Sequence, residues 1–446
     1  MAQTSPSTSL LDLLSVSLVL RQTAPYLPIS TLLALAATNK TFKSLIENHS
    51  EAWQCLDLSK AKSAIIDTSP IDTGGISWRA ERMDESLTED EFYCGPLRGI
   101  FSKLQRKGVL YHVQTLILDG LSVPADLVRE VIAEDRFNVK ILSLRDCKNL
   151  NHSKLQQVLR YAVRPGRAED SIRLRGLYVF GRRDELPNPS AHKVPSSHSS
   201  PQPPTGVLAT EGAQIGSEWN SRSSATLNQT LPMDDQQRWY GSSGRVITRP
   251  KEDWAHTLHA CQGIIAFDAV LCRGPRHDIS KTTGKDFLEP AMASVALGAR
   301  GCQSCGSCPE EPAVFGRSMG DSLPLLAPPP THSSTVRAAQ MPETGDDTFP
   351  PFIARCTECL RGRWCERCNR WWCEDCYQGP TARASSSSAR HSNPTAAAAD
   401  AAAGVGSASD VTPTIAPGPT RKVYSKLCVE HCLVGEMMMS ADGFWG

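Results

Sequence analysis

Three things are scarce in this sequence, and each scarcity removes a class of function. There is no excess of charge: Lys and Arg number 47, and so do Asp and Glu. An electrostatic footprint for nucleic acid or for an anionic membrane is therefore missing. There is no apolar run able to span a bilayer, because the longest, Leu10 to Leu20, is interrupted by Asp12 and by serines. Met1 to Ser9 holds no Lys or Arg, so the basic start of a secretory signal is absent. An intracellular protein, cytoplasmic or nuclear, is the expectation. Catalytic signatures are scarce too. No Walker A loop, dinucleotide fingerprint or His-Glu-x-x-His helix occurs. A Gly-x-Ser-x-Gly match, Gly316 to Gly320, is followed closely by Pro324 and lies in linker-like flanks, whereas a nucleophile elbow needs a strand, a sharp turn and a helix. The chain is expected not to be an enzyme.

What is present is cysteine, proline and glycine. With 31 Pro, 31 Gly and a hydrophobic fraction of 40% in 446 residues, the chain reads as several folded parts joined by long linkers. The expected fold class is multidomain α+β. Changes of texture place a helical unit at 8–60 and a strand–helix segment at 61–183, with a possible continuation at 251–280. A disordered linker is expected at 184–250, and a cysteine-rich module at 301–378 with 421–435. A low-complexity insertion fills 379–420.

Leu10, Leu11, Leu14, Leu18 and Val19 fall on one face of a helix. Pro25 and Pro28 stop it, Ser30 is the expected N-cap of a second helix, and Asn39 marks the turn into a third. The run Tyr26-Leu27-Pro28-Ile29-Ser30-Thr31-Leu32-Leu33, then Asn39-Lys40-Thr41-Phe42 and Trp53, resembles an F-box, although here the Leu-Pro step follows a long first helix. The resemblance is confined to the 8–60 unit. It implies docking on the small Skp-type adaptor of a Skp–cullin–F-box ubiquitin ligase, with Leu27, Pro28, Ile29, Leu32 and Leu33 at the interface.

Behind it, Val113-x-x-Leu116-x-Leu118-x-x-Leu121 recurs 26 residues later as Val139-x-x-Leu142-x-Leu144-x-x-Cys147-x-x-Leu150. A weaker copy is Leu174-x-x-Leu177-x-Val179, and Trp53-x-x-Leu56-x-Leu58 fits as a first rung. Leu155, Val158 and Leu159 mark a helix with Ser153 as its expected cap. The Leu-x-Leu-x-x-Cys step resembles leucine-rich repeats, which implies a short α/β solenoid whose units each cover the next. Residues Cys261 to Cys272 are a weaker candidate for a last rung. Leucine-rich repeats behind an F-box resemble a substrate receptor, which implies an unknown protein target.

Of 16 cysteines, 11 lie between Cys302 and Cys432. In a reducing compartment, closely spaced Cys-x-x-Cys pairs point to metal thiolates. The pairs are Cys302/Cys305, Cys356/Cys359, Cys365/Cys368 and Cys373/Cys376, with Cys428 joined by His431 or Cys432. Two such knuckles close one structural zinc site. The four residues between Cys368 and Cys373 reach about 13–14 Å when extended, so folding both knuckles onto one ion would be tight and alternating pairs are expected to share an ion. Cys356, Cys359, Cys373 and Cys376 would hold one, and Cys365, Cys368, Cys428 and Cys432 or His431 the other. Cys302/Cys305 either displaces one of these pairs or holds a third ion, and Cys308 has no assigned role. The expectation is two zinc ions, or three. The stretch Arg363 to Tyr377 resembles the centre of a ZZ-type or RING-like finger, without the terminal histidines of the first or the His ligand of the second. A binding finger is preferred to a RING, which would imply ubiquitin-ligase activity of the module itself.

Overall fold

The computed structural model describes residues 9–65, 89–166, 172–181, 253–280, 287–297, 301–306, 313–326, 334–341, 351–377, 422–424 and 426–434. The expected linker 184–250, the insertion 379–420 and Cys308 lie outside the described residues. No helix among those described is long and apolar enough to cross a membrane.

The chain opens on helices α1 (Leu10–Ser15), α2 (Ser17–Thr23), α3 (Ile29–Thr38) and α4 (Lys40–Asn48). A capping box starts α1, Ser9 and Asp12 satisfying each other's backbone N–H. The single first helix expected from the apolar spacing is broken at Val16, whose backbone is extended (ψ 113). There the Ser15 hydroxyl donates to the Asp12 carbonyl at 2.7 Å, an alternative to continuing the helical ladder. The break rotates the second half, so Leu14 and Leu20 are buried while Leu10 and Leu18 face outward. Helix α3 begins at Ile29 behind Pro28, not behind Ser30. Pro28 already holds the extended conformation of an N-cap. Asn39 caps α4 by accepting from the Thr41 N–H. Trp53 closes this small core, its indole donating to the Ile46 carbonyl at 2.8 Å.

A five-stranded parallel sheet follows, its strands adjacent in chain order: β1 (Cys55–Asp57), β2 (Thr115–Ile117), β3 (Ile141–Ser143), β4 (Gly176–Tyr178) and β5 (Ala266–Phe267). The register sets Leu56, Leu116, Leu142, Leu177 and Phe267 in one buried row across all five strands. Parallel neighbours need crossovers. Here they contain α5 (Glu89–Arg106), α6 (Ala125–Ala133), α7 (His152–Ala162) and α8 (Ala255–Ala260). Their Phe101, Leu127, Val128, Leu155, Leu159 and Leu258 bury the row from one side. Asn151, not Ser153, caps α7, since its carboxamide reaches the Lys154 N–H at 3.0 Å. The opposite face is covered at its centre by the chain itself. Ile141 and Tyr178 pack with Leu325 and Ala339, the latter in α9 (Val336–Ala339).

Asp268 closes the end of the sheet after β5. Its buried carboxylate accepts from the backbone N–H groups of Val179, Phe180 and Gly181 at 2.6–3.2 Å. Beyond it a three-stranded antiparallel sheet forms from β6 (Val295–Leu297), β7 (Ala313–Val314) and β8 (Pro351–Arg355), with β8 in the middle. A hairpin of β9 (Val423–Tyr424) and β10 (Leu427–Cys428) ends the described chain before a helical turn, Val429–Leu433. Gly316 to Gly320 is no elbow. It is a turn after β7 in which the Ser318 hydroxyl accepts from the Val314 N–H at 2.7 Å.

Candidate metal centres

Each cysteine pair is held by the turn that carries it. The Cys356/Cys359 pair sits where β8 ends, with the Cys359 N–H directed at the Cys356 sulfur (3.4 Å). In the Cys302/Cys305 pair the Ser304 N–H points to the Cys302 sulfur (3.4 Å), and Gly306 takes a positive φ of 67° to complete the turn. Cys365/Cys368 turns at Asn369, also at positive φ (54°), whose side chain accepts from Trp364 and donates to the Ala296 carbonyl of β6. Cys428 receives the Cys432 N–H at 3.4 Å. Backbone N–H groups aimed at sulfur favour the thiolate, the form that binds metal.

These pairs converge into three groups of four, and within each the donor atoms all lie within 4.8 Å of one another. One group is Cys302, Cys305, Cys373 and Cys376. Another is Cys365, Cys368, Cys428 and Cys432. The third is Cys272, His277, Cys356 and Cys359. A tetrahedral zinc with Zn–S bonds of about 2.3 Å sets its sulfurs about 3.8 Å apart. The sulfurs of Cys305 and Cys373 are 3.9 Å apart, and those of Cys368 and Cys428 3.8 Å. Each group could therefore hold a metal ion, and the donor sets suit zinc.

The arrangement is the alternative in which Cys302/Cys305 displaces one of the expected pairs, and it corrects the partners of the pair displaced. Cys373/Cys376 joins Cys302/Cys305, not Cys356/Cys359: the Gln303 N–H donates to the Trp371 carbonyl (2.8 Å) and the Cys373 N–H to the Cys302 sulfur (3.2 Å). Cys356/Cys359 is left to partners that the sequence reading did not include, Cys272 and His277. In the group built on Cys428 the fourth donor is Cys432, and His431 is not part of it. The expected separation of Cys365/Cys368 from Cys373/Cys376 is present. The short link between them pairs Trp364 antiparallel to Trp371, and the two knuckles serve different groups.

Electrostatics distinguish two of these thiols, Cys365 and Cys272, from those in the apolar core. Burial pushes Cys55 and Cys261 up to about 12, and Cys147 is likewise raised by burial while its thiol donates to the Leu118 carbonyl. Cys365, against the same pressure of burial, is brought down to about 7 by the N–H groups of Cys368 and Cys428. Burial also opposes ionisation of Cys272, yet hydrogen bonds from Cys356 and Cys359 hold it well below the ordinary thiol value. Cys359 is raised, chiefly by its hydrogen bond with Cys272, and Cys373 and Cys432 by burial and by neighbouring thiols. In the groups of Cys272 and of Cys365 one thiol is held low while a neighbouring thiol, Cys359 or Cys432, is held back, a repulsion that a divalent cation would remove.

Trp364, Trp371 and Trp372 are buried among the cysteines, so they form the core of the module and not an exposed recognition patch. Arg363, 1% exposed, ties the groups together. Its guanidinium donates to the carbonyls of Cys359 (2.8 Å) and Trp372 (3.0 Å) and pairs with Glu374. Gly274 has no room for a side chain, since a Cβ there would stand 2.7 Å from the Cys359 sulfur and 3.3 Å from Arg355 Cδ. Gly274→Ala is therefore expected to destabilise the fold by about 1–3 kcal/mol, as overpacking does. Gly99→Ala, in α5 with nothing within 4 Å, should leave the urea midpoint unchanged or raise it. Equal midpoints for the two variants would refute the close approach at Gly274.

Of the residues expected at an adaptor interface, Pro28 and Leu33 are exposed and Leu27 and Ile29 half-buried. Leu32 is 2% exposed and belongs to the interior, so it offers no surface. No protein-family model matches the chain, and no curated protein or solved structure matches it.

Proposed function

We propose that this chain is a substrate-receptor subunit of a Skp–cullin–F-box ubiquitin ligase, acting inside the cell. In this reading the N-terminal helices dock on the Skp-type adaptor, and the β1–β5 unit, taken as leucine-rich repeats, joins the zinc-bound module in recognising a target protein. Ubiquitin transfer is performed by other subunits through proximity. The observation that carries the reading is the surface of α1–α3 and the turn between α2 and α3. Leu10, Leu13, Val16, Leu18, Tyr26 and Leu33 are all exposed there, beside the Leu-Pro step of the F-box resemblance. Six large apolar side chains on so small a unit call for a partner. The metal is taken to be zinc because thiolates with at most one imidazole form its structural donor set.

The test is co-purification with the adaptor, wild type beside Pro28→Ala/Leu33→Asp, two exposed positions whose replacement spares the core. A stoichiometric complex that the double substitution abolishes supports the reading, and a folded wild type that binds no adaptor refutes it. A second reading is favoured by one observation: the groups on Cys302/Cys373 and on Cys365/Cys428 interleave along the chain, first pair with third and second with fourth. RING-like fingers are cross-braced in this way. That reading requires self-ubiquitination of the chain with only activating and conjugating enzymes supplied.

A further inference from the structure

Two of the three groups draw only on residues after Gly301. The third does not: Cys272 and His277 lie in the loop leaving β5, while Cys356 and Cys359 lie at the end of β8. We propose that Cys272, His277, Cys356 and Cys359 bind a zinc ion of their own, and that this ion fastens the end of the parallel sheet to the cysteine-rich module. The proposal rests on the zinc reading above in one respect, that the convergent thiols are metal sites.

The loop is built as a ligand. The Cys272 N–H is held by the Ala291 carbonyl at 2.8 Å, and Leu271 pairs with Met292. His277 Nδ1 lies 3.1 Å from the Leu288 carbonyl, an acceptor only, so the proton belongs on Nδ1. Nε2 then presents its lone pair to the group, 3.3 Å from the Cys356 sulfur. A ring nitrogen fixed by a backbone carbonyl while the other faces the ion is the usual support of a metal-binding imidazole. Arg276 reaches across to the Glu358 carbonyl at 3.0 Å, and Gly274 lets the loop approach Cys359 closely. When zinc binds, the three cysteines ligate as thiolates, the protons they still carry pass to solvent, and His277 donates its free pair.

The ligands of this site are part of the apolar contact at the junction. Of the eleven buried residues that join Ala269 and Val270 to Phe315 and Phe352, four are alanines and three are the ligand cysteines. Val270, Phe315, Leu323 and Phe352 are the larger apolar members that remain, and the clasp adds to them a fixed link between the loop after β5 and the end of β8.

The experiment uses the full chain. Plasma mass spectrometry should find three zinc ions in the wild type and two in Cys272→Ser. Hydrogen exchange in that variant should accelerate at 287–297 and 351–356 while 365–377 stays protected. Should Cys272→Ser fail to fold, the cobalt-loaded His277→Cys chain decides. It should keep three metals and shift part of its d–d absorption to longer wavelength, because thiolate is a weaker-field ligand than imidazole. Two ions in the wild type, three in Cys272→Ser, or a cobalt spectrum unmoved by His277→Cys would each overturn the clasp alone. A wild type without metal would overturn the zinc reading itself.

Discussion

A strong zinc chelator is expected to unfold residues 295–297, 301–306, 351–377, 422–424 and 426–434 while leaving the parallel sheet folded. The core of that region has twelve buried members, Val295, Leu297, Ile353, Trp364, Trp371 and Trp372 among them, and four of the twelve are proposed ligands: Cys302, Cys365, Cys373 and Cys428. The apolar remainder is too small to hold a fold alone, whereas structural zinc contributes on the order of 10 kcal/mol per site. The sheet behaves differently because its row from Leu56 to Phe267 is closed by helices and by no metal ligand. Tryptophan fluorescence should move to the red on chelation as Trp364, Trp371 and Trp372 meet water, and hydrogen exchange at Leu116, Leu142 and Leu177 should stay slow. Metal-free protein with unaltered fluorescence would show that the thiol groups are not what holds the module.

The second large effect is expected at Asp268. Its carboxylate is 2% exposed and accepts from three consecutive backbone N–H groups, Val179 to Gly181. Removing it leaves those donors buried without a partner. Asp268→Ala should therefore cost about 3–5 kcal/mol, since hydrogen bonds to a charged group are worth about 1.5–3 kcal/mol each and unmade ones carry a desolvation penalty. Asp135, whose ion pair with Arg173 is exposed to solvent, serves as the control. Asp135→Ala should hardly move the urea midpoint. Exchange of the Val179 to Gly181 amides as slow in Asp268→Ala as in the wild type would refute this account.

The parallel sheet was legible because its signal is local and strict. The Leu-x-Leu step places alternate residues of a strand on one face, and the 26-residue spacing between copies leaves room for a single crossover helix. The weak candidate at Cys261 to Cys272 does contain β5, paired in register with β4. Helix ends were less legible. Val16 breaks a run whose apolar spacing is continuous, and Asn151 outcompetes Ser153 as a cap, both through side-chain to backbone hydrogen bonds that periodicity does not record. Cys272 and His277 escaped because they are spaced Cys-x4-His, far upstream of Cys356, with Cys272 at the end of the weak strand candidate and His277 beyond it. One signal was available. Five ligand pairs cannot fill two or three four-coordinate sites evenly, and the odd pair implied a sixth somewhere in the chain.

The sequence by itself determined which residues carry the chemistry after Gly301: thiols in Cys-x-x-Cys turns, whose geometry follows from a few adjacent residues. It also determined the row of leucines that the sheet buries, since strand periodicity is a local property. Only the tertiary structure decided which pairs meet. That choice depends on β6 lying beside β8, on Asn369 reaching the Ala296 carbonyl, and on the loop after β5 closing over the Cys359 sulfur at Gly274. Such contacts join residues far apart in the chain, and no spacing rule along the sequence encodes them. A pair of thiols is specified by its turn, but a four-coordinate site is specified by whatever fold brings two pairs together.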